Sequence, residues 1–161
     1  TGRFQYEPII TVYARSPGCQ LPEPMMALQS GHDAPAQFVF DLGHLRGIDG
    51  LLAFVISGAH DWVQRGTEIT QRMTLKQAMA ALSTYLHAPF ETVQIFTEKR
   101  ATFLCTPGLS RPARHLAHGM SAAGDYIDGP YPATLEGAVR SGRLAVEALF
   151  AQNSALNRPI A

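Results

Sequence analysis

The strongest constraint on the fold is a set of three short apolar runs that follow one another without a helical segment between them. These runs are IITVYAR (residues 9–15), AQFVFDL (36–42) and LLAFVIS (51–57), each rich in β-branched or aromatic residues. Proline and glycine interrupt residues 16–24, and residues 44–50 are expected to form a loop with Gly47 and Gly50. Antiparallel strands need only such loops, whereas parallel neighbours need a long crossover. The sequence therefore predicts an antiparallel sheet.

Later segments change to helical spacing. Between Thr67 and Leu86, apolar residues return every three or four positions until Pro89 ends the pattern, which predicts a helix. Residues 92–104 return to a β-rich pattern, and residues 120–124 predict a short strand. The fold class that follows is α+β: a mostly antiparallel sheet with one or two packed helices, then a C-terminal strand, loop and helix.

The C-terminal helix, expected over residues 133–150 with Pro132 at its start, carries two stripes. We expect its core face to hold Leu135, Ala138 or Val139, Gly142, Ala145 or Val146, and Leu149. A second stripe of small residues comprises Ala133, Gly137, Ser141 and Ala145. This stripe has two interpretations. In the first, it admits a ligand or a second domain, and a larger residue at Gly137 is then tolerated in this chain. In the second, it packs on the chain itself.

Composition excludes several classes of protein. Hydrophobic residues make up 46% of the 161 residues and charged residues 16%, with 13 basic and 13 acidic side chains. This balance excludes intrinsic disorder, and the absence of a basic run predicts no nucleic-acid partner. The longest apolar run, residues 51–56, is too short to span a bilayer. Cys19 and Cys105 form no CxxC pair, which favours a reducing, cytoplasmic compartment.

Familiar catalytic and metal-binding patterns are missing from the sequence. His115 and His118 lie three residues apart, but no Cys, Asp or Glu close by completes a zinc set, so we predict no metal site. Cys105 lies away from a histidine and from a predicted helix start, so we expect it to be a small buried hydrophobe. No GxSxG elbow occurs. The sequence therefore identifies no catalytic residue.

The segment after residue 119 carries the clearest chemical pattern. Gly124 ends the predicted short strand, and Asp125 follows at its carboxyl end. A loop rich in glycine and proline then leads to a helix N-terminus, which favours an anionic or electron-rich partner. Residue by residue, this pattern predicts either a ligand site or tight packing without a ligand.

The order of residues 119–142, GMSAAGDYIDGPYPATLEGAVRSG, is more specific than its parts. It resembles the C-terminal flavin-binding signature of the amine oxidase and phytoene desaturase superfamily of FAD-dependent oxidoreductases. Two further stretches, YEPIITVY (6–13) and EKRATF (98–103), look like the squalene-associated branch, the hydroxysqualene dehydroxylases. The resemblance covers about residues 4–150.

The resemblance implies a cofactor site. Gly124 and Asp125 would bind the ribityl–pyrophosphate region of FAD, and the N–H groups of Ala133, Thr134 and Leu135 would face the pyrimidine edge of the flavin. It further implies hydride transfer with an isoprenoid lipid, hydroxysqualene or squalene, as a step of hopanoid biosynthesis. Such a substrate allows peripheral contact with the inner face of a membrane. The alternatives are a carotenoid desaturase, an amine oxidase, or a non-catalytic module that binds a lipid or a protein.

One departure from the family pattern stands out. Such enzymes hold the ADP half of FAD with a GxGxxG turn near the N-terminus, and this chain contains no GxGxxG and begins without methionine. The expectation is a C-terminal part of a longer flavoenzyme, with residues 1–118 in the substrate-binding domain and 119–161 in the FAD-binding domain. Its main partner would be the missing nucleotide-binding half. The chain alone is then expected to be inactive and to retain no FAD.

Overall fold

The computed structural model describes residues 4–156, apart from the side chains of residues 92, 93 and 153–156. The strands in this range are β1 (Tyr6–Arg15), β2 (Met25–Ala27), β3 (Phe38–Asp41), β4 (Leu51–Ser57), β5 (Glu91–Phe103), β6 (His115–Ala117) and β7 (Met120–Ser121). The helices are α1 (Leu42–Arg46), α2 (His60–Arg65), α3 (Thr67–Ala81) and α4 (Leu135–Leu156), with a 3-10 turn at Ser83–Tyr85. The predicted α+β class is confirmed.

The chain divides into two compact units. The sheet unit is Glu7–Ala101, and the tail unit combines Thr1–Tyr6 with Thr102–Ala161. Residues 102–118 thus belong to the same compact unit as the C-terminal segment. The division into a substrate-binding part (1–118) and an FAD-binding part (119–161) concerns function and stays a prediction.

The five-stranded sheet is antiparallel, in the order β2-β3-β4-β1-β5. The antiparallel pairing predicted for the first three runs is confirmed: β4 pairs with β1 on one side and with β3 on the other. The register places Phe54 opposite both Val12 and Val39. All three side chains are fully buried, so this row is the centre of the core.

Helices α2 and α3 contribute to this core from one face of the sheet. Trp62 of α2 and Ala78 of α3 join the core cluster. The predicted helix is confirmed over Thr67–Ala81, but its apolar repeat marks the buried side only in part: Met73 and Leu75 pack against the core, and other members do not. Ile69 and Met79 are exposed, whereas the buried positions of α3 are Thr70, Thr74, Gln77 and Ala78.

Gln77 explains why a polar side chain occupies this interface. Its Oε1 accepts from the N–H of Ala36 at 2.8 Å, and its Nε2 donates to the carbonyls of Ala36 at 2.8 Å and Gln29 at 2.9 Å. One amide therefore satisfies both backbone groups of a buried residue just before β3. The hydroxyl of Thr70 likewise donates to the carbonyl of Trp62, at 3.0 Å.

A helix occupies part of the segment predicted as a loop over residues 44–50. Asp41 starts α1: its Oδ1 accepts from the N–H of Gly43 at 2.7 Å. The other oxygen, Oδ2, accepts from the N–H of Leu21 at 2.9 Å, so a fully buried carboxylate ties two segments together. The loop prediction missed this helix because one capping aspartate is weak sequence evidence for a helix of only five residues.

The Gln77 interaction predicts a large effect of one substitution. Gln77→Leu leaves the buried N–H and C=O of Ala36 without partners, and an unsatisfied buried group costs about 1–3 kcal/mol. We expect the free energy of unfolding, measured in urea, to fall by about 2–6 kcal/mol for the two groups. The matched control is Gln64→Leu, at an exposed position of α2, with a change within about 0.5 kcal/mol. Equal effects of the two substitutions would contradict this account.

Candidate functional site

The segment of interest lies in the tail unit, between β7 and α4. The strand predicted over residues 120–124 is only Met120–Ser121, paired antiparallel with β6, so Gly124 lies in the following loop. Gly124 has φ +151°, a conformation that side-chain-bearing residues rarely adopt. Its N–H donates to Oγ of Ser141 on α4 at 3.2 Å. The loop is thereby attached to the helix at the predicted glycine.

Asp125 has a free carboxylate in this loop. The residue is half-buried, and its backbone carbonyl accepts from the N–H of Ala133 at 3.3 Å. Its side chain makes no hydrogen bond or ion pair with any residue in the range 4–156. The carboxylate is therefore available to a ligand with hydroxyl or N–H donors.

Thr134 caps α4. Its Oγ1 accepts from the N–H of Gly137 at 3.0 Å and donates to the carbonyl of Tyr131 at 2.7 Å. The helix therefore begins at Leu135 rather than at 133, and Pro132 does not occupy its first position. Tyr131 and Ala133 have φ values of +58° and +56°, which are left-handed and incompatible with a helical start.

The capping bonds decide which predicted N–H groups are free. The N–H of Ala133 is engaged with Asp125, whereas those of Thr134 and Leu135 donate to no acceptor in the described range. The structure thus brings Gly124, Asp125, Ala133 and Thr134 together in one closed loop at the helix start. Two of the three predicted donors remain available to an electron-rich partner.

The predicted core face of α4 is wrong for its large members: Leu135, Val139 and Val146 are 88%, 69% and 52% exposed. Ala145 is buried, and Ala138, Gly142 and Leu149 are half-buried. Among the residues of α4 whose side chains are described, the buried ones are Gly137, Ser141 and Ala145, which belong to the small-residue stripe. A Cβ on Gly137 would lie 2.1 Å from the carbonyl oxygen of Tyr131, so the stripe accommodates the chain's own loop. The contact with Tyr131 therefore explains the glycine at position 137 without a ligand.

Arginines surround the same loop. Arg111 donates to the carbonyls of Ile127, at 2.8 Å, and Gly129, and its Nη2 lies 3.5 Å from Oδ1 of Asp128. The same loop helps to line a cavity of about 100 Å³, whose other lining residues include Arg114, Arg140 and Arg143. The hydrogen bond and charge of Glu136 raise the pKa of Arg140. Sequence reasoning missed this cavity because helix residues reach the loop only in the folded chain.

The cysteines and histidines offer no comparable site. Cys19 is buried, and its burial, with the charges of Asp41 and Asp49, raises the pKa of its thiol, which makes it a poor nucleophile. Cys105 is exposed, so the expectation that it is buried is wrong; it follows the end of β5 in a turn. Within residues 4–156, no three His, Cys, Asp or Glu side chains cluster closely enough to hold a metal ion.

Comparisons with known proteins leave the function to be argued from this geometry. No protein-family model matches the chain, and no curated protein is similar enough to count as a relative. Among the described residues, no helix combines the length and hydropathy required to cross a bilayer.

The contact at Gly137 makes a testable prediction. Gly137→Ala places a methyl group against the carbonyl of Tyr131, and overpacking of this kind costs about 1–3 kcal/mol. We expect a clear fall in the Tm of the chain, measured by circular dichroism. Gly142→Ala is the matched control: a Cβ there meets no atom within 4 Å, and alanine favours a helix over glycine by up to about 1 kcal/mol. An unchanged Tm for Gly137→Ala would restore the ligand account of the stripe.

Proposed function

We propose that this chain is the C-terminal part of an FAD-dependent oxidoreductase that acts on an isoprenoid lipid such as hydroxysqualene or squalene. The observation that carries the proposal is the carboxylate of Asp125, in the loop before α4, which has no hydrogen-bond or ion-pair partner among residues 4–156. It lies in the segment that resembles the flavin-binding signature of the amine oxidase and phytoene desaturase superfamily. The proposed partner is a nucleotide-binding half with a GxGxxG turn.

The residues of the loop fit the ribityl end of FAD. A carboxylate accepts charge-assisted hydrogen bonds from hydroxyl groups, and Asp125 has this capacity unused among the described residues. Gly124 adopts a backbone conformation that favours glycine, and the ring of Tyr126 lies where a Cβ would be, so a side chain here would distort the loop beside Asp125. The chemistry that bound FAD supplies is hydride transfer.

The start of α4 fits the electron-rich edge of the flavin ring. The N–H groups of Thr134 and Leu135 are free, and a helix N-terminus stabilises negative charge. Ala133 takes a different role from the one the resemblance implies, because its N–H closes the loop on Asp125. We therefore assign the edge contact to Thr134 and Leu135, and the loop geometry to Ala133.

The test measures FAD in two proteins: this chain alone, and a longer protein that joins it to its GxGxxG-bearing half. The chain alone should lose FAD on gel filtration. In the longer protein, Asp125→Ala should weaken FAD binding at least tenfold, since a hydrogen bond to a charged group contributes about 1.5–3 kcal/mol. The control is Asp128→Ala on the same loop, where the side chain is 74% exposed, with FAD affinity unchanged.

Two outcomes would contradict the proposal. Stoichiometric FAD bound to the chain alone would mean that a different nucleotide site exists. Equal affinities of the Asp125→Ala and wild-type proteins would show that Asp125 only shapes the loop.

A non-catalytic lipid-binding module is the second candidate, because the sheet unit has an apolar outer face. In the register of the sheet, Phe40 lies opposite Met25 and Ala53, and Phe38 lies opposite Val55. The ring of Tyr13 meets that of Phe96 edge to face at 5.8 Å on the same side. Met25, Phe38 and Phe96 are exposed, and patches of this kind often mark binding sites.

Binding of squalene by the chain alone tests this second candidate. Phe38→Ser removes an exposed aromatic ring from the outer face and should reduce the squalene retained from detergent micelles several-fold, because less apolar surface is buried on binding. Asp125→Ala is the control and should retain squalene like the wild type. Equal retention by the Phe38→Ser protein would exclude the outer face as the lipid site.

A further inference from the structure

Arg114 differs from the other arginines of the tail unit that the structure describes. Each of the others has a carboxylate partner: Arg111 with Asp128, Arg140 with Glu136, and Arg143 with Glu147. The guanidinium of Arg114 makes no hydrogen bond or ion pair with any residue in the range 4–156. Its charge is therefore uncompensated by these residues.

The Nε of Arg114 is fully buried without an acceptor. Two buried side-chain atoms among the described residues lack a partner, and the other is Oγ of Ser121. Of the two residues, Arg114 lines a cavity, the one it shares with Arg140 and Arg143. A buried N–H of a charged group without an acceptor is costly, but this Nε is closed off from a water-sized ligand, so a ligand in the cavity would meet the terminal N–H groups of Arg114.

The size of the cavity limits what it can hold. Its volume is about 100 Å³. A void of roughly 10–15 Å³ holds one water molecule, so this cavity has room for a group of several heavy atoms. The remaining lining comes from the loop around Gly129 and from Gly137 and Ser141 of α4.

We propose that this cavity binds a small oxyanion, a phosphoryl group, with Arg114 as its main ligand. The planar guanidinium presents paired N–H donors that match the oxygens of phosphate, and the side chain of Arg114 makes no hydrogen bond or ion pair with any residue in the described range. Arg140 and Arg143 add positive charge, although each also bonds a glutamate on α4. Asp128 lines the cavity as well, but it is mostly exposed and its charge is offset by Arg111.

This inference goes beyond the flavin proposal, because it depends on Arg114 and not on the carboxylate of Asp125. The phosphoryl group could be free phosphate or the end of a phosphate monoester, since both present the same oxygens. Binding of inorganic phosphate and of methyl phosphate, measured separately, distinguishes these two sources.

The experiment titrates the full chain with sodium phosphate at constant ionic strength and follows the heat of binding, with sodium acetate as a second titrant. We expect saturable phosphate binding by the wild type and weaker binding of acetate. Arg114→Gln should weaken phosphate binding at least tenfold. The matched control is Arg72→Gln, an equal charge change at an exposed position of α3, with an affinity within twofold of the wild type.

Two further variants keep the test decisive. Arg114→Lys retains the charge but loses the paired donors, and should bind phosphate several-fold more weakly than the wild type even if Arg114→Gln fails to fold. Asp125→Ala should bind phosphate as the wild type does, which separates this site from the flavin proposal. The inference is overturned if wild-type binding is not saturable, if acetate binds as tightly as phosphate, or if the folded Arg114 variants bind phosphate like Arg72→Gln.

Discussion

The sheet unit depends on the double pairing of strand β4. With β1 on one side and β3 on the other, Phe54 lies in one buried row with Val12 and Val39. The ring of Phe54 also meets that of Phe90 edge to face at 5.9 Å. Because side chains alternate across a strand, burial of this row sends the neighbouring residues to the opposite face. The apolar outer face with Phe38 and Phe40 is the direct consequence.

The tail unit is held together differently. Few of its described side chains are buried, among them Phe103, Ile127 and Ala145. Hydrogen bonds supply much of its geometry: Gly124 with Ser141, and Thr134 with both Tyr131 and Gly137. A loop shaped by such directional bonds holds defined backbone positions with little core behind them. This arrangement leaves the carboxylate of Asp125 and the guanidinium of Arg114 without protein partners in the described range.

These two free groups have opposite charges and suit different chemistry. Asp125 accepts hydrogen bonds, which fits ligand hydroxyls, whereas Arg114 donates them, which fits an oxyanion. If the two groups formed an ion pair, neither would be available to a ligand. Their separate environments therefore support two separate proposals, each with its own experiment.

The sequence by itself determined the strands β1, β3 and β4, their antiparallel pairing, and the presence of the helices α3 and α4. Alternation and helical spacing are local properties, and the short loops left no room for crossovers. It also singled out Gly124 and Asp125 by their place after a predicted strand, whereas Thr134 was implied by the resemblance. The chemistry proposed for Asp125 still rests on a resemblance.

The tertiary structure decided which side of each helix is buried. Thr70, Thr74 and Gln77 lie inside on α3 because backbone groups of neighbouring segments meet them there. On α4, the close approach of Tyr131 to Gly137 buries the small stripe and leaves Leu135 exposed. The Arg114 cavity joins residues far apart in sequence. Burial and pairing depend on what the rest of the chain places against a residue, and no local pattern contains that information.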